Sequence, residues 1–356
     1  MAEALQVFAG REAARRLARD GWSAEQFSLL LGASGGPKWF VLAALDRFLF
    51  GDFLQRSSQP LATLGSSIGA WRHACLVQPD PAAALDRFAH AYIHQNYSRR
   101  PDSDEITAAS RGILRCILGE HGAMHVAGHP RIREHVVTAR GRGACATRHP
   151  LLLPLGLASA AAGNTLNRSL LQRAFQRVLF SSEAAALPGL ALDDFDTHRA
   201  PLTAQNAEDV LLATASIPLL LNGVRDIPQA PPGQYWDGGV IDYHFDLKHY
   251  ADAGLILFPH FSSAIVPGWF DKGLRKRHTR PGAIDNLVLL NPHPTFVASL
   301  PAGKIPDRSD FKRFTPEQRI ANWEICLQRG EALAEELAAL VDGSDPLRGV
   351  VVAPVP

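Results

Sequence analysis

The sequence has little of what marks several common protein classes. Its 356 residues include only 4 cysteines, Cys75, Cys116, Cys145 and Cys326. They are scattered and form no C-x-x-C pair, so neither a disulfide framework nor a cysteine-built metal site is expected. They read as free, mostly buried thiols of a reducing compartment. Charge of one sign is not in excess: 36 basic residues stand against 35 acidic ones. A dedicated nucleic-acid binder would be strongly basic, so that class is excluded, although a local basic rim is not. Long apolar runs are missing too. The stretch Leu151 to Ala162 contains proline and glycine and is too short to span a bilayer. Met1-Ala2-Glu3-Ala4-Leu5 shows no basic leader before an apolar run, so no signal peptide is expected. The expectation is a cytoplasmic protein whose membrane contact, if any, is peripheral to the inner face.

What the sequence does contain is organised around Leu61-Ala62-Thr63-Leu64-Gly65-Ser66-Ser67-Ile68-Gly69-Ala70-Trp71. This reads as a buried strand, a glycine-flanked turn of the form G-x-S-x-G, and a helix. A serine on such an elbow is presented at the positive end of the following helix, and Gly65 and Gly69 let strand and helix approach closely. An ordinary turn is the competing reading.

Upstream, Phe27 to Leu31 reads as a central strand. It empties into Gly32-Ala33-Ser34-Gly35-Gly36-Pro37-Lys38-Trp39, followed by a helix over Trp39 to Phe50. The loop is neither a G-x-x-x-x-G-K-[ST] nor a G-x-G-x-x-G phosphate loop. Gly35 and Gly36 can aim backbone N–H groups at an oxyanion, whereas Pro37 has none to give. Two strand–loop–helix units in succession favour an α/β sheet with ligands at the carboxyl ends of its strands. A third segment, Gln234-Tyr235-Trp236-Asp237-Gly238-Gly239-Val240, places one acid before two glycines, so the carboxylate can turn inward. A hairpin turn is its plainer reading.

The other expected elements are helices over Arg11 to Arg19, Ile68 to Leu76, Ala82 to Asn96, Ile106 to Leu118, Thr203 to Thr214 and Thr315 to Leu340. Ser103 or Asp104 would cap the fourth of these, Thr203 the fifth, and a Thr315–Gln318 capping box opens the last. Strands are expected at His135 to Ala139, Leu190 to Phe195, Leu255 to Phe258, Leu287 to Leu290 and in the tail from Val350. Leu151 to Leu157 fits a strand or a helix start. Thr165 to Phe180, with Leu166, Leu170 and Phe175 beside Arg168, Arg173 and Arg177, reads as one amphipathic surface helix packed on the core, with a membrane-touching cover over the site as the competing reading. His121, His125, His129, His135 and His149 match no ligand spacing and read as surface residues. Asp271 to Arg280, after Trp269-Phe270, reads as a solvated basic loop, with an interfacial anchor as the competing reading.

Taken together, these segments resemble the patatin-like phospholipase family. The family's oxyanion loop has three glycines, a variable residue, Arg or Lys, then glycine. Ser34 to Trp39 matches it with Gly35, Gly36 and Lys38, while Ser34 and Trp39 replace its first and last glycines. Its elbow matches Gly65 to Gly69, its small-residue segment before a proline matches Ala213 to Pro218, and its D-G-G/A motif matches Asp237 to Gly239. The matched motifs bracket residues 27 to 240. The resemblance implies a three-layer α/β/α sandwich with a central, mostly parallel sheet, as a single domain over 1–356. A cap insertion would lie within 99–185, and 241–356 would be a less typical part of the same domain. It implies a lipid acyl ester hydrolase with Ser67 as nucleophile and Asp237 as its base. Gly35 and Gly36 would form the oxyanion hole, and Ser34, Lys38, Trp39, Gly65, Gly69, Gly238 and Gly239 would shape the loops or position substrate. The dyad requires no metal or other cofactor, and calcium-loop signatures are absent. Trp39, Trp71 and Leu219 to Leu221 would line an acyl pocket. Two alternatives stay open: a triad completed by His244, His260 or His293, and a non-catalytic lipid-binding protein.

Overall fold

The strands at the centre of the sheet are nearly uninterrupted apolar runs, as strands buried on both faces must be. In the computed structural model, which describes residues 3–182, 192, 194–245, 254–280 and 283–353, the strands are β1 (Leu5–Ala9), β2 (Phe27–Gly32), β3 (Leu61–Ser66), β4 (Ile132–Gly141), β5 (Phe175–Ser181), β6 (Thr197–Pro201), β7 (Val224–Arg225), β8 (Gln234–Asp237), β9 (Leu255–Pro259), β10 (Leu287–Pro292) and β11 (Val350–Val352). They form one sheet in the order β11-β1-β10-β9-β2-β3-β4-β5-β6, with β8 on β4 and β7 on β8. The run β10-β9-β2-β3-β4 is parallel throughout. Antiparallel pairs join β1 to β10, β5 to β4 and β8 to β4.

Helices cover both faces, giving a three-layer α/β/α sandwich. They are α1 (Arg11–Asp20), α2 (Ala43–Gly51), α3 (Ile68–Leu76), α4 (Pro81–Ile93), α5 (Ser103–Leu118), α6 (Gly122–Gly128), α7 (Leu152–Leu166), α8 (Ala207–Thr214), α9 (Pro294–Ser299), α10 (Asp310–Arg313), α11 (Pro316–Arg329) and α12 (Glu331–Val341). The main core packs α2, α3, α4, α5, α8 and α12 on the sheet, and a second, smaller core built around Leu153, Leu157, Phe175 and Trp236 lies under α7. Each large side chain buried this way contributes roughly 1.5–3 kcal/mol.

Local rules explain most boundaries. Asp80 caps α4 by accepting from Ala83 N at 2.9 Å. The expected Thr315–Gln318 box opens α11. The helix over 106–118 begins earlier, because Asp102 rather than Ser103 or Asp104 supplies the cap, accepting from Glu105 N at 2.8 Å. Asn206, not Thr203, precedes α8. The final helical stretch divides at Gly330 into α11 and α12. Residues 151–157 open the helix α7.

The single amphipathic helix expected over Thr165 to Phe180 does not form. The chain leaves α7 after Leu166, makes a 3-10 turn over Arg168–Arg173 and enters the sheet as β5. Arg177, expected on a wet helix face, is 1 % exposed and forks onto Asp242 at 2.7 and 2.8 Å, with Asp194 beside it at 2.9 Å. Tertiary partners for its charge override the helical spacing. Likewise β4 and β5 lie within 99–185, so that span is part of the sheet and not a detachable cap. Strand β1 is an addition to the expected strands. Of the one expected at Leu190 to Phe195, Leu190, Ala191 and Asp193 lie outside the described residues, and Leu192, Asp194 and Phe195 are not in a strand. Among the five clustered histidines, His135 is 1 % exposed on β4, where burial lowers its pKa to about 4.

Beside His135, the Glu134 side chain is enclosed by the sheet. Its Oε2 accepts from Thr63 Oγ1 at 3.0 Å, and Oε1 has no partner among the described residues. Burial lifts this carboxyl from its ordinary 4.5 to about 8. The folded chain therefore keeps a proton that the unfolded chain releases, and the stability this confers is full below pH 4.5 and lost as pH rises to about 8. Glu134→Gln should flatten the pH dependence of the urea midpoint across that window. A variant that kept the wild-type slope would show that another group titrates there.

Candidate active site

Strand β4 is the ruler of the site. Along one of its edges β3 runs parallel and ends with Ser66 opposite Val137. On the same edge β8 arrives from the other direction and ends with Asp237 opposite Thr138, the next residue. The two strands meet end to end, so the residues leaving them are brought together although they are 170 positions apart. The junction is tight. A Cβ on Gly69 would fall 2.0 Å from the Gly32 carbonyl oxygen, and one on Gly238 would fall 2.1 Å from that of Val137.

Ser67 leaves β3 with φ 55 and ψ −129, a conformation that costs a non-glycine residue about 1–3 kcal/mol. Surrounding bonds hold it there. Its N–H donates to Thr214 Oγ1 at 2.9 Å, and that hydroxyl donates to the Val137 carbonyl at 2.5 Å. Ser67 Oγ points at Asp237, donating to Oδ2 at 2.8 Å. The other carboxylate oxygen, Oδ1, accepts from Gly239 N at 2.7 Å, and Asp237 N donates to the Ser216 carbonyl at 2.8 Å. The small-residue segment 213–218 thus braces both members of the pair. Burial raises the Asp237 pKa, against the lowering effects of Arg308, of the Gly239 and Ser67 hydrogen bonds and of Lys272. Its basicity is correspondingly greater than that of a wet aspartate.

The glycine loop faces the same point. Gly35 and Gly36 share a cavity of about 280 Å³ with Ser67 and Asp237. Among the described residues neither of their N–H groups donates to a backbone acceptor. The Ser67 N–H is already taken by Thr214, so the amides of Gly35, Gly36 and Ile68, the last at the start of α3, are the ones an oxyanion at this point could engage. Ser34 bonds Ser66 through their hydroxyls at 2.7 Å, tying the glycine loop to the elbow. Lys38 lies over the Phe261 ring at 4.8 Å and makes no bond to Asp237.

A second cavity of about 740 Å³ also reaches Ser67, inside the usual ligand-pocket range of roughly 300–1,000 Å³. Ile68, Trp71, Ile113, Leu220, Leu221 and Phe311 give it apolar walls. Trp39 does not line it. That side chain is 1 % exposed and stacks on Phe88 at 4.2 Å, so it is core. The histidines proposed for a triad are not at the dyad. His244 Nδ1 engages Ala264 and Val266, His260 Nδ1 engages Ser262, and His293 caps α9. Burial lowers the pKa of both His244 and His260, the latter to about 3.

Sequence reasoning missed Thr214 as the brace, and it missed Lys272, Tyr243 and Arg308 as walls of the smaller cavity. Lys272 stood inside the basic run over Asp271 to Arg280. Arg308 carried no motif at all. The basic run is also less solvated than expected, since the fully buried Asp271 receives Arg168 at 3.0 Å, Arg277 at 2.9 Å and Asn164 at 2.8 Å.

No family model and no curated protein matches this chain. Among solved structures, the crystal structure of VipD from Legionella pneumophila is similar at 12 % identity, over 99 % of this chain and 75 % of that one, with a TM-score of 0.35. Among the described residues no helix is long and apolar enough to cross a membrane, and no group of His, Cys, Asp and Glu is arranged to hold a metal.

The buried carboxylate has a measurable cost. With its pKa raised, Asp237 contributes stability that is complete below its ordinary value of 3.8 and lost as pH rises through its folded value. Asp237→Asn, which keeps an acceptor for Gly239, should therefore melt at a higher temperature than wild type at pH 7. The difference should shrink on acidification below pH 4. A lower melting temperature for the variant at every pH would refute this account.

Proposed function

We propose that this protein is a serine hydrolase that cleaves carboxylic esters of lipids through a Ser67–Asp237 dyad, in the manner of the patatin-like phospholipases it resembles. The observation that carries the reading is the 2.8 Å hydrogen bond from Ser67 Oγ to Asp237 Oδ2, at a strained elbow open to two cavities. Asp237 takes the hydroxyl proton as Ser67 Oγ attacks the ester carbonyl carbon. The tetrahedral oxyanion is held by the Gly35 and Gly36 amides and by the N-terminus of α3. Collapse breaks the bond to the alcohol oxygen, and Asp237 returns the proton to the departing alcohol. Water, deprotonated by Asp237, then attacks the acyl-enzyme, and the acid leaves as the proton returns to Ser67.

An aspartate is a weak base in water, and its burial here supports the role. The lipid part of the reading rests on the apolar walls of the larger cavity. It also rests on the exposed Leu219 and Leu220 beside that cavity and on Trp269, 41 % exposed on the rim of the smaller one.

A fluorophosphonate probe should label Ser67 and no other residue, as read by peptide mass spectrometry. Ser67→Ala should abolish labelling and lower ester turnover by roughly 10³-fold or more. Turnover by wild type should rise with pH through a midpoint above 3.8, as the raised Asp237 loses its proton. Undiminished ester cleavage by Ser67→Ala or Asp237→Asn would end the proposal.

A further inference from the structure

Ester cleavage by the dyad needs a base, a nucleophile and oxyanion donors. It does not need the three cations that line the smaller cavity with Ser67: Lys38 after β2, Lys272 after Trp269, and Arg308 before α10. Among the described residues none of the three forms an ion pair with a carboxylate. The acids nearby are already engaged. Asp237 is bonded to Ser67 and Gly239, and Asp307 is held by Lys304 at 2.8 Å and by Ser309. Elsewhere the chain pairs even exposed arginines, as Arg56 with Asp52 and Asp342, each at 2.9 Å.

The three cations feel one another. Burial first, then Lys38 and Arg308, hold the Lys272 ammonium down to about 8 against the pull of Asp237, and burial also lowers Lys38, opposed by Asp307 and helped by Lys304 and Arg308. The Asp237 carboxylate, whose pKa Arg308 and Lys272 lower, balances only part of this charge. Three cations against that one carboxylate leave an excess of positive charge at the cavity, which an entering anion offsets. Arg308 is placed at the junction: it lines both cavities, as Ser67 does, and its Nε lies 3.2 Å from where a Cβ on Gly36 would be.

We propose that the smaller cavity is an anion subsite, in which Lys38, Lys272 and Arg308 receive a compact anionic group carried on the alcohol side of the ester, while the acyl chain enters the larger cavity. The inference rests on the hydrolase reading of Ser67. Its substrate class is an ester of an alcohol bearing a phosphate, or a group of like charge, a few bonds from the scissile oxygen. A quaternary ammonium on that phosphate is disfavoured. The aromatic faces that would accept it, Tyr243 and Trp269, are covered by Lys272 at 4.1 and 5.7 Å. The cavity, at about 280 Å³, also brings any added cation close to the three already there.

The test compares kcat/KM for three monomeric esters with one acyl chain: monoacylglycerol, its 3-phosphate, and its 3-phosphocholine. The phosphate ester should exceed each of the others by at least about 10-fold, the scale of one charge-assisted contact. That ratio should fall toward one in a folded Lys272→Gln/Arg308→Gln variant and as sodium chloride is raised. Inorganic phosphate and glycerol 3-phosphate, tested as competitors of monoacylglycerol hydrolysis, separate recognition of free phosphate from recognition of a lipid headgroup. Inhibition by glycerol 3-phosphate but not by inorganic phosphate supports the headgroup form, and inhibition by both supports a general phosphate site. A ratio within about 2-fold of one in wild type, or one unchanged in the double variant, overturns the subsite while leaving the hydrolase standing. If all three esters are inert and Ser67 is not labelled, the hydrolase reading falls and takes the subsite with it.

Discussion

The structure depends on a shared edge. Strand β4 pairs first with β3 and then, one residue on, with β8, so that Ser66 and Asp237 face the consecutive residues Val137 and Thr138. Register in a sheet is set by backbone hydrogen bonds and cannot slip by one residue without turning every side chain to the opposite face. The distance between Ser67 and Asp237 is therefore fixed by the ladder. Thr214 seals the joint from outside it, bonding the Ser67 amide and the Val137 carbonyl with one hydroxyl.

That rigidity lets two costly features persist. Ser67 has a backbone conformation that its side chain disfavours, and Asp237 is a carboxylate 6 % exposed to water. Neither would survive in a loose loop, where the backbone would relax or water would enter. Both are maintained by the mass of the core behind them, including the Trp39–Phe88 stack and the buried Arg72–Asp46 fork, whose bonds are each 2.6 Å long. The site gains a serine on a strained elbow, 2 % exposed, beside a carboxyl of raised pKa, which is the pairing on which the proposed nucleophilic attack rests.

The two cavities at Ser67 differ in their linings. The larger has apolar walls from Trp71, Leu220, Leu221 and Phe311, with Arg99, Lys312 and Arg319 also along it. The smaller is lined by glycines, Lys38 and Lys272, and Arg308 stands on both. The apolar part of an amphiphile gains from burial only against the apolar walls, so those walls set its orientation.

Sequence by itself determined the pieces made of contiguous residues. The elbow around Ser67, the Gly35–Gly36 loop, the Asp237-Gly238-Gly239 turn and the apolar strands β2, β3, β9 and β10 are each dictated by local rules: a tight turn needs glycine, and a strand buried on both faces needs an unbroken apolar run. Tertiary structure decided what local rules cannot reach. It pulled Phe175–Ser181 out of a helical pattern because Arg177 finds Asp242 and Asp194 only in the sheet. It buried Trp39 against Phe88 instead of in a pocket, and it brought Arg308 from a stretch without any motif to the edge of Gly36. The physical reason is common to all three: the free energy of a charge or a large ring depends on which groups surround it, and those groups come from distant parts of the chain.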